Sequence, residues 1–349
     1  MTTTEARPET HASPATSSGV RRLLGLVVAL AVLVVVVLLS FVVGARDIAV
    51  ADVLTALRHG DDGSFESIVV LEQRLPRTVA AVVAGLGLAV AGALMQAVTR
   101  NPLADPGILG VGSGAAFAVA VATAVLGITA PAGYLWFAFL GALLAAVVVF
   151  LVGSGGRGTV GPGRLVLAGV ALAAVLHGIT SAMLLADPEG YNAMRAWQAG
   201  NLADRGWAVL NPVTPFVLAG LVVALLAGRA LNAVALGDDL ASAQGANVAM
   251  TRVTSVAAIT LLAGGATAIA GPIVFVGLMV PHAARWVVGP DQRWIAAYSA
   301  VLGPVLLLAA DVLARVALRQ GELPAGVVTA VLGAPVLVWL VRRTKVSGL

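Results

Sequence analysis

Few residues in this 349-residue chain could carry covalent chemistry, and their spacing argues against it. There is no cysteine, which removes disulfides, thiolate zinc sites, iron–sulfur clusters and thiol nucleophiles. The four histidines, His11, His59, His177 and His282, are scattered with no i, i+4 pair, so a histidine metal site is not expected. Lysine occurs once, at Lys345, and no G-x-x-x-x-G-K-[ST] surrounds it, so the chain has no P-loop. Any ATP hydrolysis must belong to a partner. Asp311 is the one acid inside an apolar stretch. Intramembrane carboxylates default to functional candidates. Arg315 follows one helical turn later, however, and an i, i+4 ion pair is the plainer role. A proton relay would need a second acid, and no apolar stretch supplies one. His282 reads as a helix-packing hydrogen-bonder, and Met95, Met183 and Met279 as packing.

The elements that must position these residues are membrane spans. The chain is 59% hydrophobic and 11% charged, with a mean hydropathy of +0.98. Soluble domains run at about 45–50% and about 25%. Apolar stretches fall at 23–44, 77–98, 107–127, 134–153, 164–186, 209–228, 252–270, 272–288, 294–314 and 325–341. A span needs about 20 residues, so the expectation is an all-α membrane protein of about ten transmembrane helices. The boundary at Gly271-Pro272 is the least defined. The first stretch is longer than the roughly 7–15 apolar residues of a signal peptide and reads as a retained span; Arg21-Arg22 leaves a twin-arginine export signal as the alternative. Residues 1–22 and 343–349 read as polar tails, the first disordered. Gly85-Leu86-Gly87 and Gly264-Gly265 suit close helix approach.

Arginine sets the orientation. With the N-terminus in the cytoplasm, thirteen of the 21 positive residues fall inside, among them Arg22, Arg100, Arg252, Arg342 and Arg343. Eight fall outside: Arg46, Arg58, Arg74, Arg77, Arg195, Arg205, Arg315 and Arg319. An even span count places both termini in the cytoplasm. Three connecting segments are long. Residues 45–75 lie outside with an amphipathic stretch from Ile48 to Leu57. Residues 187–208 lie outside, with Trp197 and Trp207 as interface anchors. Residues 229–251 lie inside and fit two short helices broken at Gly237 and Gly245.

Several motifs carry a likeness. Arg74-Leu-Pro-Arg77 is followed by a small-residue span and Asn101-Pro-Leu-Ala-Asp-Pro-Gly-Ile-Leu-Gly110. Then come Gly163-Arg-Leu-Val-Leu-Ala-Gly169, Leu236-Gly237, the run from Gly271-Pro to Pro281-His282 with Arg285, and Glu322-Leu-Pro to Ala334-Pro335. In order and spacing the chain resembles the permease subunits of iron-chelate (siderophore) and cobalamin ABC importers, the FecCD type, over roughly residues 23–342. The resemblance implies a dimeric permease core formed with a second permease, identical or paralogous. It also implies two ATP-binding subunits below, where ATP and Mg act, and an extracytoplasmic substrate-binding protein above. It implies a multi-pass protein of the bacterial cytoplasmic membrane, in contact with lipid and not with nucleic acid. No cofactor, metal or catalytic residue is expected in this chain.

By the same resemblance, Arg74, Arg77 and Arg315 match arginines that dock glutamates of the binding protein, with Arg319 a competitor for the third. Arginine pairs bidentately with carboxylates and steers docking; interfacial anchoring is the alternative. Asn101, Pro102 and Leu103 match a cytoplasmic gate, and Gly161, Pro162 and Gly163 a second gating loop. Relatives can carry Ser or Thr where this chain has glycine, so side-chain gating there is not carried over. Both are also ordinary turn sequences. The 229–251 segment matches the loop that couples to the ATPase, with Leu236, Gly237, Asp238, Asp239, Ala243 and Gly245 as its contact residues; Asp238 and Asp239 are read as partners of basic ATPase residues. The implied function is ATP-driven import of a metal chelate by alternating access, with ferric siderophore ahead of cobalamin or haem. An ion-coupled secondary transporter would need several buried acids or broken-helix ion sites, and the sequence shows only Asp311. An intramembrane enzyme would need a nucleophile–base pair or a metal cluster.

Overall fold

The computed structural model describes residues 15–44, 48–154, 162–318 and 321–343, and within them there is no strand. Fourteen α-helices are described: α1 (Ala15–Val42), α2 (Val50–His59), α3 (Phe65–Ile68), α4 (Leu75–Thr99), α5 (Val111–Ala120), α6 (Pro131–Ser154), α7 (Pro162–Ala186), α8 (Pro188–Gln198), α9 (Trp207–Ala235), α10 (Asp238–Ala243), α11 (Val248–Ala270), α12 (Val276–Val288), α13 (Gln292–Val316) and α14 (Ala325–Arg343). Each of the ten apolar stretches forms a helix. Seven helices are long and apolar enough to cross a membrane. The other three are shorter: α5 with its π-helical continuation to Val125, α12 and α14.

The core lies where small residues let backbones meet. Helices α4 and α11 are central, 83% and 78% buried along their most apolar stretches, whereas α1 and α7 are peripheral at 11% and 17%. A Cβ on Gly85 of α4 would meet the Gly303 carbonyl of α13 at 2.6 Å, and one on Gly87 would meet the Leu262 carbonyl of α11 at 2.7 Å. Gly265 is as tight, against Val217 of α9, but Gly264 makes only ordinary van der Waals contact with Ala142 and Phe139.

Several expectations change. Helix α1 starts at Ala15, so Arg21 and Arg22 stand on a helix rather than in a tail. The second span is far longer than its apolar stretch: Phe65–Thr99 is one 35-residue helix. It takes a π-helical turn at Val69–Arg74, just ahead of Pro76. Proline cannot donate to the carbonyl four residues back, and its ring crowds that position; a wider turn accommodates both facts. Trp197 is fully buried, its indole donating to the Ala268 carbonyl at 3.3 Å, so it is core and not an interface anchor. At Gly271-Pro272 the chain leaves the helix and re-enters at Val276. The 229–251 segment holds one short helix, not two: α9 runs on to Ala235, and α10 has six residues between Gly237 (φ 121°) and Gly245 (φ 79°). Glycine tolerates those angles where a side chain would not.

Contacts define two ends. Arg22 of α1 lies 3.7 Å from Asp291 beside α13, and Arg100 after α4 meets Asp238 beyond α9, so these termini share one end. Arg77 of α4 meets Asp311 of α13 near the other.

Candidate functional site

At the Arg77 end a buried carboxylate is gripped by two guanidinium groups. Asp311 is fully buried. Arg77 donates to it through Nε (3.0 Å to Oδ2) and Nη2 (2.8 Å to Oδ1). Arg315, one turn along α13, donates through Nε at 3.0 Å and through Nη2. Its Nη1 also reaches the Ser40 carbonyl of α1 at 2.8 Å, and Nη2 reaches Ser40 Oγ at 3.1 Å. Arg77 extends Nη1 to Glu322 Oε2 at 2.6 Å. Arg74 donates to the carbonyls of Phe41 and Val42. The expected Asp311–Arg315 pair therefore exists, but as part of a network that staples α1, α4 and α13. None of the three arginines stands out from the surface. They line a cleft of about 230 Å³ together with Gly44, Gln73 and Glu322. Arg319 lies outside the described residues.

A second cleft, of about 360 Å³, opens on the side of α7 and α8. His177, Thr180, Ser181, Leu184, Tyr191 and Gln198 line it. The Thr180 hydroxyl is buried there without a hydrogen-bond partner. His177, Thr180 and Ser181 share one helical face by their i, i+3, i+4 spacing. That spacing was the available signal, and it is diluted by the apolar residues around it.

The opposite end carries the Asn101–Leu103 loop and the α10 segment. Helix α4 stops at Arg100, which is left-handed (φ 51°). Asn101 is exposed and its Oδ1 accepts from the Leu103 amide at 2.9 Å; Pro102 and Leu103 are half-buried. Gly161 of the second loop lies outside the described residues. Pro162 opens α7, and Gly163 is exposed with open space around it. Within α10 only Ala241 is buried. Leu236 and Leu240 are 61% and 55% exposed, and Asp239, Ala243 and Gly245 are exposed as well. Asp238 departs from the sequence reading. It is engaged within its own chain, accepting from Arg100 Nη2 and from Arg252 Nη2 at 3.0 and 3.1 Å. Burial opposes its charge, but the hydrogen bonds and fields of the two arginines outweigh that and hold its pKa below the usual carboxylate value. Arg100 Nε also donates to the Val234 carbonyl at 2.8 Å.

Two further features escaped the sequence. Asp105, within the Asn101–Gly110 motif, is a second acid set against the middle of α4. It lines a 60 Å³ cavity with Leu88, halfway along α4, and with Thr267, Pro272 and Gly277. The chain re-enters the bundle here, which Pro102 and Pro106 around the acid could have signalled. His282 has its Nδ1 buried without a partner, and the ring packs edge-on against Trp286 at 4.9 Å.

These positions belong to a chain with extensive relatives. It is 48% identical over 319 residues to the ferric enterobactin transport system permease protein FepD of Escherichia coli (strain K12), covering 91% of this chain and 95% of that one. It is 40% identical to the Fe(3+) dicitrate transport system permease protein FecC of the same strain, over 90% of this chain and 95% of the other. An inward-facing metal-chelate type ABC transporter superposes with a TM-score of 0.80 at 26% identity, covering 91% of this chain and 98% of that one. The model of the FecCD transport family matches residues 32–343, and the chain belongs to that family.

Proposed function

We propose that this chain is the membrane permease subunit of an ATP-driven importer and that it carries a metal chelate, with ferric siderophore as the substrate class. The observation that carries the reading is α10. It is an exposed helix with apolar Leu240 outward, preceded by exposed Leu236, on a chain with no P-loop of its own. That is a surface for a partner that supplies the energy. Substrate class follows the names of the relatives, the ferric enterobactin and Fe(3+) dicitrate permeases.

The arginine distribution favours α10 in the cytoplasm with both termini, and a second permease copy or paralogue completing the pathway. The His177–Gln198 cleft supports this. His177 is exposed at this cleft and would be costly against lipid, whereas a water-filled pathway between two permeases solvates it. Ten crossings require α12 to be completed by the non-helical residues 271–275. At 1.5 Å per residue its 13 residues span about 20 Å, against a core of about 30 Å. Asn101, Pro102 and Leu103, with Gly161, Pro162 and Gly163, then close the cytoplasmic mouth.

A binding protein docks over the Arg74–Arg77–Arg315 cleft. In this arrangement Glu322 holds the outward nitrogen of Arg77, where an incoming carboxylate would bind. Glu322→Ala should therefore tighten docking by about five-fold, in keeping with about 1 kcal/mol for a partly exposed pair. Surface plasmon resonance at low and high salt reads this. Unchanged affinity would place docking elsewhere.

The whole reading is tested by reconstituting the chain with its ATPase and binding protein and measuring uptake of labelled ferric siderophores, cobalamin and haem. ATP-dependent uptake of a ferric siderophore is expected. Uptake that ignores ATP and collapses with the proton gradient would favour ion coupling instead, the reading that Asp105 beside the broken helix at 271–275 supports.

A further inference from the structure

Helix α10 is attached to the rest of the molecule at few points. Its flanks are Gly237 and Gly245, both at positive φ with open space where a Cβ would be. Its only buried residue is an alanine, Ala241, which offers little grip. The specific attachment is polar: the half-exposed carboxylate of Asp238, the first residue of the helix. Arg252 holds it from the first turn of α11. Arg100 holds it from the C-terminus of α4, at the residue directly before Asn101. Arg100 is itself tied down twice, since Nε donates to Val234 in the last turn of α9. The left-handed backbone at Arg100 turns the chain out of α4 and directly into the gate loop. One peptide bond further on, Asn101 Oδ1 fixes the loop by accepting from the Leu103 amide.

We propose that the Arg100–Asp238–Arg252 cluster is the mechanical connection between the ATPase-facing helix α10 and the Asn101–Leu103 gate, with Asp238 as its positioning residue. This rests on the importer reading above and extends it to the route by which movement of α10 reaches the gate. A displacement of α10 is carried by charge-assisted hydrogen bonds, which are short and directional, because the glycines on either side transmit no torque. The arrangement has a specific consequence. Loss of Asp238 leaves the exposed docking face, Leu236 and Leu240, intact. ATPase binding and transport are thereby separable. The connection also holds across physiological pH, because a depressed carboxylate pKa is overcome only as pH falls below the ordinary carboxylate range.

The test uses the assembled transporter with its ATPase and binding protein. Asp238→Asn and Arg100→Ala should each keep the ATPase bound and hydrolysing within about two-fold, while uptake falls about ten-fold, the size of coupling within a charged network. Because the two residues act through each other, the double variant should be no worse than either alone. Asp238→Glu should recover part of the uptake. The absence of cysteine allows a direct second readout. Spin labels at Leu103→Cys and Leu240→Cys should give a narrow distance distribution that broadens with Asp238→Asn. Unchanged uptake in Asp238→Asn, losses that multiply in the double variant, or an unaltered distance distribution would each overturn the relay. A parent complex that shows no ATP-driven uptake at all would instead refute the importer reading, and the distance measurement would still decide whether Asp238 holds α10 to the gate loop.

Discussion

Asp311→Ala should destabilise the protein by about 3–5 kcal/mol, the cost of removing one partner from a buried ion network. The carboxylate is fully buried, and the side chains of Arg315 and Arg77 are 2% and 11% exposed. Removal leaves two guanidinium groups facing each other in a low-dielectric site with a single remaining acid, Glu322, on one of them. The α1–α13 attachment at Ser40 depends on Arg315 being held in place and should loosen as well. Thermal unfolding in detergent, followed by intrinsic tryptophan fluorescence, measures this. Asp311→Asn should fall in between, since an amide keeps the shape and an acceptor oxygen but not the charge. A melting temperature unchanged in Asp311→Ala would show that water reaches the network and that its burial has no energetic weight. The same buried attachment makes Arg77→Glu a poor probe of docking: it would place a third acid against Asp311 and Glu322, so lost docking could not be told from lost fold. Glu322→Ala avoids that ambiguity.

Gly92→Val should lose about 3 kcal/mol or more, the upper end for overpacking. A Cβ on Gly92 would lie within 2.5 Å of the Gly277 Cα. Both partners are backbone, so no rotamer change relieves the overlap; α4 and α12 must separate. Separation would also strain the weak bonds from Gln96 Nε2 to the Gly277 and Leu278 carbonyls, at 3.4 and 3.3 Å. Gly206→Val is the matched control, since nothing lies within 4 Å of its added Cβ. Monodispersity by size exclusion and the melting temperature should separate the two variants. Equal behaviour would mean that the α4–α12 contact is not closely packed.

Much of this was legible in the order of residues. Each of the ten apolar runs forms a helix of the bundle, because burial in lipid demands a continuous apolar surface from a span regardless of its neighbours. Boundaries were less legible where polar residues are helical. Phe65–Arg74 carries Glu66, Glu72 and Gln73, and hydropathy alone assigns it to a loop. The single short helix α10 was read as two because glycine breaks are visible while the reach of α9 past Arg229 is not. Trp197 was misplaced for a related reason. A tryptophan near a span end is a good interface residue, and only the tertiary placement of the end of α8 puts its indole on the Ala268 carbonyl.

The sequence by itself determined the class of molecule. It is helical and intramembranous, without a nucleotide-binding motif or thiols, and its motifs run in the order of an iron-chelate permease. Those properties are local or additive, so composition and spacing suffice to read them. Tertiary structure alone decided which charges meet. Arg77 and Asp311 are 234 residues apart, and Arg100 and Asp238 are 138 apart. Nothing in either neighbourhood marks the pairing, which exists because α4 lies between α13 and α9 with their ends level. It also decided that Asp105 sits at the depth of Leu88 rather than at an end. A charge in such a bundle needs a partner within a few ångströms, and the partner is chosen by which helix termini the backbone packing of small residues brings together.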